Sequence, residues 1–202
     1  MKVDWSRIEP AVFLSSAAVI LLVLGFGVLD PEGAKYTFLG LQDWIVGTFG
    51  WLFVASTTLF LVFSVWCAFG ARGRLRLGPE GEPADFALHS WFAMLFSAGM
   101  GIGIMFFGVA EPVMHYASPP SSAVGSPLAA QQAMTITFFH WGLHAWGVYT
   151  VMGLAIAYFG HRKGLPLAIR STLYPLLGDR IHGWIGHAVD TVAVFGTIFG
   201  LA

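Results

Sequence analysis

Residues 139–149 read Phe-His-Trp-Gly-Leu-His-Ala-Trp-Gly-Val-Tyr. At about 100° per residue on a helix, Trp141, Tyr149 and Trp146 stand near 0°, 80° and 140°, so three rings share one face. A quaternary ammonium group has no N–H to donate, and ordinary hydrogen bonding cannot select it. Aromatic faces can, at roughly 0.5–2 kcal/mol per ring once water is excluded. The same rings also suit an interfacial belt or packing between helices. Spacing alone leaves the two about even.

A second stretch is Ser97-Ala-Gly-Met-Gly-Ile-Gly103, inside an apolar run from Trp91 to Val109. Gly99, Gly101 and Gly103 each weaken a helix by about 1 kcal/mol relative to Ala. In lipid, a break in a helix is tolerated only where protein or a polar ligand satisfies the freed backbone groups. Interrupted helices of this kind hold substrate and ions in secondary transporters. The expectation is therefore an opened helix beside a ligand. Gly99 and Gly103 also form a small-xxx-small pair that would let two helices approach closely.

Other polar groups carry weaker signals. His140 and His144 have the four-residue spacing of helical metal ligands, but Trp141 stands where a zinc protease needs Glu. A membrane metalloenzyme is an alternative that this substitution disfavours. A core histidine bonded to a neighbouring carbonyl is the blander account. Glu111 and Asp190 lie in or beside apolar runs, where ionisable groups are functional candidates by default. Both fall near the ends of those runs, which favours interfacial solvation or a structural pair.

The elements that must position these residues are membrane helices. Hydrophobic residues make up 56% of the 202-residue chain and charged residues only 10%, with a mean hydropathy of +0.73. A soluble domain carries about 25% charge. Net charge is −1 with no basic patch, which gives no support to nucleic-acid binding. Cys67 is alone and offers neither a disulfide framework nor a thiolate site. Five spans are expected, at about 11–29, 46–69, 91–109, 134–159 and 185–202, each near the roughly 20 residues a bilayer requires. Nine of ten basic residues fall in the segments on the N-terminal side of these spans (Lys35 is the exception), so that side is expected to be cytoplasmic. Residues 164–183 carry Leu165, Ile169, Leu173 and Leu176 at helical steps and suggest an interfacial amphipathic helix interrupted at Pro175. A docking linker is equally compatible. The chain stops within an apolar run at Gly200-Leu-Ala202, without a cap or basic last turn. The expectation is a C-terminally truncated chain, with an inactive fragment or helical membrane subunit as a further alternative.

Taken together, Ser90–Gly103, Gly108-Val-Ala-Glu-Pro112 and Phe139–Tyr149 resemble the betaine/choline/carnitine transporter family over nearly the whole chain. The resemblance implies an all-α integral membrane protein. This chain would supply five transmembrane helices of a twelve-helix, five-plus-five inverted-repeat transporter, with residues 1–202 forming the N-terminal part of one transporter domain. It implies no enzymatic activity, no cofactor and no metal, with Na⁺ or H⁺ as coupling ion. The partners would be membrane lipid and a quaternary ammonium zwitterion, in a multi-pass protein of the cell inner membrane, a trimer by resemblance. Trp141, Trp146 and Tyr149 would line an aromatic box, completed by a Trp from a later helix. Gly99, Met100, Gly101 and Gly103 would lie beside the substrate, and Ser97 and Met100 near a sodium site. Choline carriers of the family tend to have Asp where this chain has Gly103. The neutral residue thus implies glycine betaine rather than choline.

Overall fold

The computed structural model describes residues 8–78 and 80–201, apart from the side chains at 98–100, 102, 104 and 201. Lys2 and Arg7, which contribute to the expected orientation, lie outside these residues. All regular structure among the described residues is helical.

Helix α1 (Pro10–Leu29) opens with Pro in its first turn, where the missing N–H costs no hydrogen bond. It is apolar almost all round and ends at Asp30, whose N–H reaches the carbonyl of Phe26. The Asp30 carboxylate then accepts from the N–H of Gly33 at 2.9 Å, which starts α2 (Pro31–Ala68). One residue therefore joins the two helices. The second span, expected at about 46–69, instead begins at Pro31. Glu32, Lys35 and Asp43 are isolated polar positions, and neither Gly33 nor Gly40 outweighs the surrounding helix formers. At 38 residues α2 is about 57 Å long, well beyond a hydrocarbon core of about 30 Å. Its polar first turns are the part suited to lie outside that core.

Helix α3 (Leu88–Ala117) runs unbroken through residues 97–103. The expected opening of the glycine stretch is not present. Three glycines cost a few kcal/mol, less than leaving several backbone groups unpaired in an apolar setting. The interruption falls elsewhere. The expected span at 134–159 is divided into α4 (Pro127–His140) and α5 (Leu143–Ala157), with a turn at Trp141 and Gly142. Helix α4 is capped by the Ser126 hydroxyl, which accepts from the N–H of Ala129 at 3.1 Å. Its buried residues, Ala129, Ala133 and Thr137, form a small-residue stripe at four-residue spacing, and α3 is the helix packed against it.

Residues 164–183 do not form one amphipathic helix. They fold into 3₁₀ turns at Ile169–Leu173 and Gly178–His182 around the single-turn α6 (Tyr174–Leu177). Pro175 starts that turn instead of breaking it, as its fixed φ and absent N–H allow in a first helical turn. Helix α7 (Trp184–Leu201) follows.

The helices gather into two compact units. One contains the described residues up to Ala55 together with those from Met152 onward. There α1 packs on α7, with the hydroxyls of Ser15 and Thr191 2.7 Å apart. The short turns are fixed to α7 by Asp190, which accepts from the N–H of Arg170 and pairs with its guanidinium at 3.1 Å. Asp190 is thus a structural partner, the blander of its two expected roles. The other unit, Ser56–Val151, contains α3, α4 and the turn leading into α5.

Apolar side chains face outward over most of the surface, Leu22 and Leu29 being 73% and 86% exposed. Pro10–Leu29, Pro31–Ala68 and Pro127–Arg162 are long and apolar enough to cross a membrane, and Trp184–Gly200 is apolar but shorter. An all-helical membrane protein accounts for this inversion of the usual inside-outside pattern.

Candidate functional site

The aromatic stretch sits at the turn between α4 and α5. Trp141 ends α4 in the bridge region, at φ −90° and ψ 2°, with its N–H on the carbonyl of Thr137. Gly142 follows because a Cβ there would lie 2.5 Å from the carbonyl oxygen of Phe138. The turn frees the Trp141 carbonyl from regular helical pairing. The indole N–H of Trp146 fills that role at 3.1 Å. Trp146 is thereby anchored by its polar edge, and its ring lies 5.5 Å from that of Tyr149 at an interplanar angle of 39°. Tyr149 is 69% exposed.

Trp141 takes a different direction from the one expected. The uniform 100° step fails at the turn, so its ring is not carried onto a common helix face with the other two. The indole lies along α3 instead. Its six-membered edge meets Gly103, where a Cβ would stand 2.7 Å from Cη2 and 2.9 Å from Cζ3. Phe107 lies one turn further, with ring centroids 6.4 Å apart. At the other end, the indole N–H donates to Oε2 of Glu111 at 2.6 Å. Gly103, Phe107 and Glu111 follow each other at four-residue steps on one face of α3.

Glu111 is the polar centre of this contact and is only 7% exposed. Besides Trp141, its Oε1 faces His140 Nδ1 at 2.7 Å and His115 Nε2 at 3.4 Å. A buried carboxylate without partners would be strongly unfavourable, and donors to a charged acceptor contribute about 1.5–3 kcal/mol each. The position was visible in the sequence as a candidate for a structural pair. Its partners Trp141 and His140 were not, because they come from the end of another helix, whereas His115 lies one turn along α3 itself.

The metal-ligand spacing of His140 and His144 does not survive folding as a shared face. His140 is engaged by Glu111, and the His144 ring stacks near Phe139 at 4.8 Å. Among the described residues no group of three His, Cys, Asp or Glu could hold a metal ion. Of the remaining expected site residues, Gly101 and Gly103 lie on α3 and Ser97 is exposed on it. Gly99 and Met100 belong to the same helix, but their surroundings lie outside the described residues.

Known proteins similar to this chain are transporters. A model of the betaine/carnitine/choline family transporters matches residues 11–202. A glycine betaine transporter of Acinetobacter baylyi is 50% identical over 198 residues, covering 98% of this chain and 30% of that protein. The high-affinity choline transport protein of Escherichia coli is 48% identical over 196 residues, covering 97% and 29%. A probable glycine betaine transporter of Desulfitobacterium hafniense is 46% identical over 190 residues, covering 94% and 38%. The chain spans about a third of the length of these relatives.

Proposed function

This chain belongs to the betaine/carnitine/choline family of transporters, which are not enzymes, and on that premise we propose that it serves the uptake of glycine betaine. The proposed process is ion symport by alternating access, with Na⁺ or H⁺ as the coupling ion. The ion drives uptake only if its differential affinity favours the substrate-competent state. The chain contributes five spans of a twelve-helix, five-plus-five inverted repeat. It lies in the cell inner membrane with its N-terminus in the cytoplasm, and it assembles as a trimer in lipid.

The observation that carries the proposal is the Trp146–Tyr149 pair at the start of α5, anchored through Trp146 at the helix interruption, with Tyr149 exposed. Ring faces are what a trimethylammonium group requires, and an interrupted helix is the usual setting of a transporter site. In this proposal Trp146 and Tyr149 form one side of the substrate box and Trp141, lying along α3, supplies a second ring wall. Gly99, Met100, Gly101 and Gly103 line the α3 side, and Ser97 and Met100 lie near the ion.

Glycine betaine is favoured over choline because its own carboxylate balances the ammonium charge. A neutral Gly103 adds no further anion, and its Cβ space is filled by the Trp141 indole. The test is competition for labelled glycine betaine uptake by cells expressing the gene product that contains these residues. Excess betaine should abolish uptake at concentrations where choline and carnitine have little effect. Choline competing more strongly than betaine would sink the choice of substrate.

A further inference from the structure

We infer that Glu111 is a positioning residue for the substrate box, acting through the indole N–H of Trp141 and not through its own charge. The inference rests on the assignment of Trp141 to the box and names what holds that ring in place.

Four observations carry it. The Glu111 carboxylate is buried on α3 and lies 2.6 Å from Trp141 Nε1, a short contact for an N–H donor to a carboxylate. The opposite edge of the same indole is stopped by the bare backbone of Gly103, eight residues earlier on the same helix. The ring is therefore fixed at both ends by α3, with Phe107 between. The Trp141 carbonyl in turn receives the Trp146 N–H, and Trp146 pairs with Tyr149. A continuous chain of contacts thus runs from Glu111 to each of the three rings. His140 and His115 occupy the other carboxylate oxygen, which holds Oε2 toward the indole.

A positioning role needs an acceptor, not an anion, and this separates it from electrostatic attraction of the ammonium group. Glu111→Gln retains a carbonyl oxygen facing the indole and should keep the KM for glycine betaine within about threefold of wild type. Glu111→Ala removes the acceptor and should raise KM about tenfold or more, with Vmax changing less. Trp141→Phe keeps a ring but loses the N–H, and it should reproduce the Glu111→Ala effect. The double variant Glu111→Ala/Trp141→Phe should be no worse than either single one, because both remove the same interaction.

The measurement is the kinetics of labelled betaine uptake by the gene product containing these residues, normalised to its amount in the membrane. In parallel, the indole N–H resonance of Trp141 in ¹⁵N-tryptophan-labelled protein should move in Glu111→Ala and stay near its wild-type position in Glu111→Gln. A KM in Glu111→Gln as poor as in Glu111→Ala, or an unchanged KM in Trp141→Phe, overturns the inference. If Glu111→Ala does not accumulate, Glu111→Gln and Trp141→Phe decide by themselves. Trp141→Ala separates the two levels: unchanged betaine affinity there removes Trp141 from the box. Lost affinity there with a normal KM in Trp141→Phe removes only the role of Glu111.

Discussion

At Gly103 a single hydrogen separates the backbone of α3 from the Trp141 indole. A methyl group at that position would stand 2.7 Å from Cη2, closer than real Cβ contacts come, so the indole would have to shift. Gly103→Ala should therefore weaken betaine binding even though it stabilises an isolated helix by about 1 kcal/mol. Substrate affinity and Tm measured on the same preparation check this, and the two should move in opposite directions or the Tm remain unchanged. At Trp146 the expectation is simpler. Trp146→Ala removes one ring face worth roughly 0.5–2 kcal/mol, and betaine affinity should fall about two- to thirtyfold at normal expression. Unchanged affinity would assign the ring to packing.

Among the elements, the turn between α4 and α5 matters most, and it was not legible in advance. Hydropathy falls between His140 and Gly147, but two His, two Trp and two Gly share that dip, and Gly142 carries no more weight in the sequence than Gly147 or Gly153. The position of the interruption depends on Trp141, which gains a hydrogen bond and ring contacts on α3 by leaving the helical path. The glycine stretch of α3 misled for the complementary reason. Gly103 gives the indole room to approach, and helical hydrogen bonding is retained throughout. Gly142→Ala tests the turn. Its Cβ would meet a backbone oxygen at 2.5 Å, and the loss of stability should be about 1–3 kcal/mol, seen as a lower Tm in detergent. An equal effect of Gly153→Ala, where nothing lies within 4 Å, would show that the turn is not special.

At the scale of the whole molecule, outward-facing Leu, Phe, Val and Trp side chains along α1 and α2 leave a surface that water cannot solvate favourably. The protein should stay with the membrane through an alkaline carbonate wash and be released only by detergent. The expected orientation can be checked by cysteine labelling in a Cys67→Ser background. A cysteine at Ser121 should react with an impermeant reagent added outside the cell, and one at Arg74 only after permeabilisation. The reverse pattern would overturn the cytoplasmic placement of the basic loops.

Membrane character, helical class and family were legible in the chain itself. Each depends on local quantities: apolar run lengths near those a bilayer requires, charge restricted to short segments, and long motifs such as Ser90–Gly103. Candidate ligand residues were legible as types, because few side chains other than aromatics suit a trimethylammonium group. Which rings meet, and what holds them, is a property of contacts between helices. Glu111 and Trp141 are thirty residues apart, and no periodicity along either helix predicts that a carboxylate on one will meet an indole N–H on the other. The tertiary structure decided that pairing. Burying the carboxylate is tolerable only where donors from a second helix converge on it, and that convergence exists only once α3 and α4 pack together.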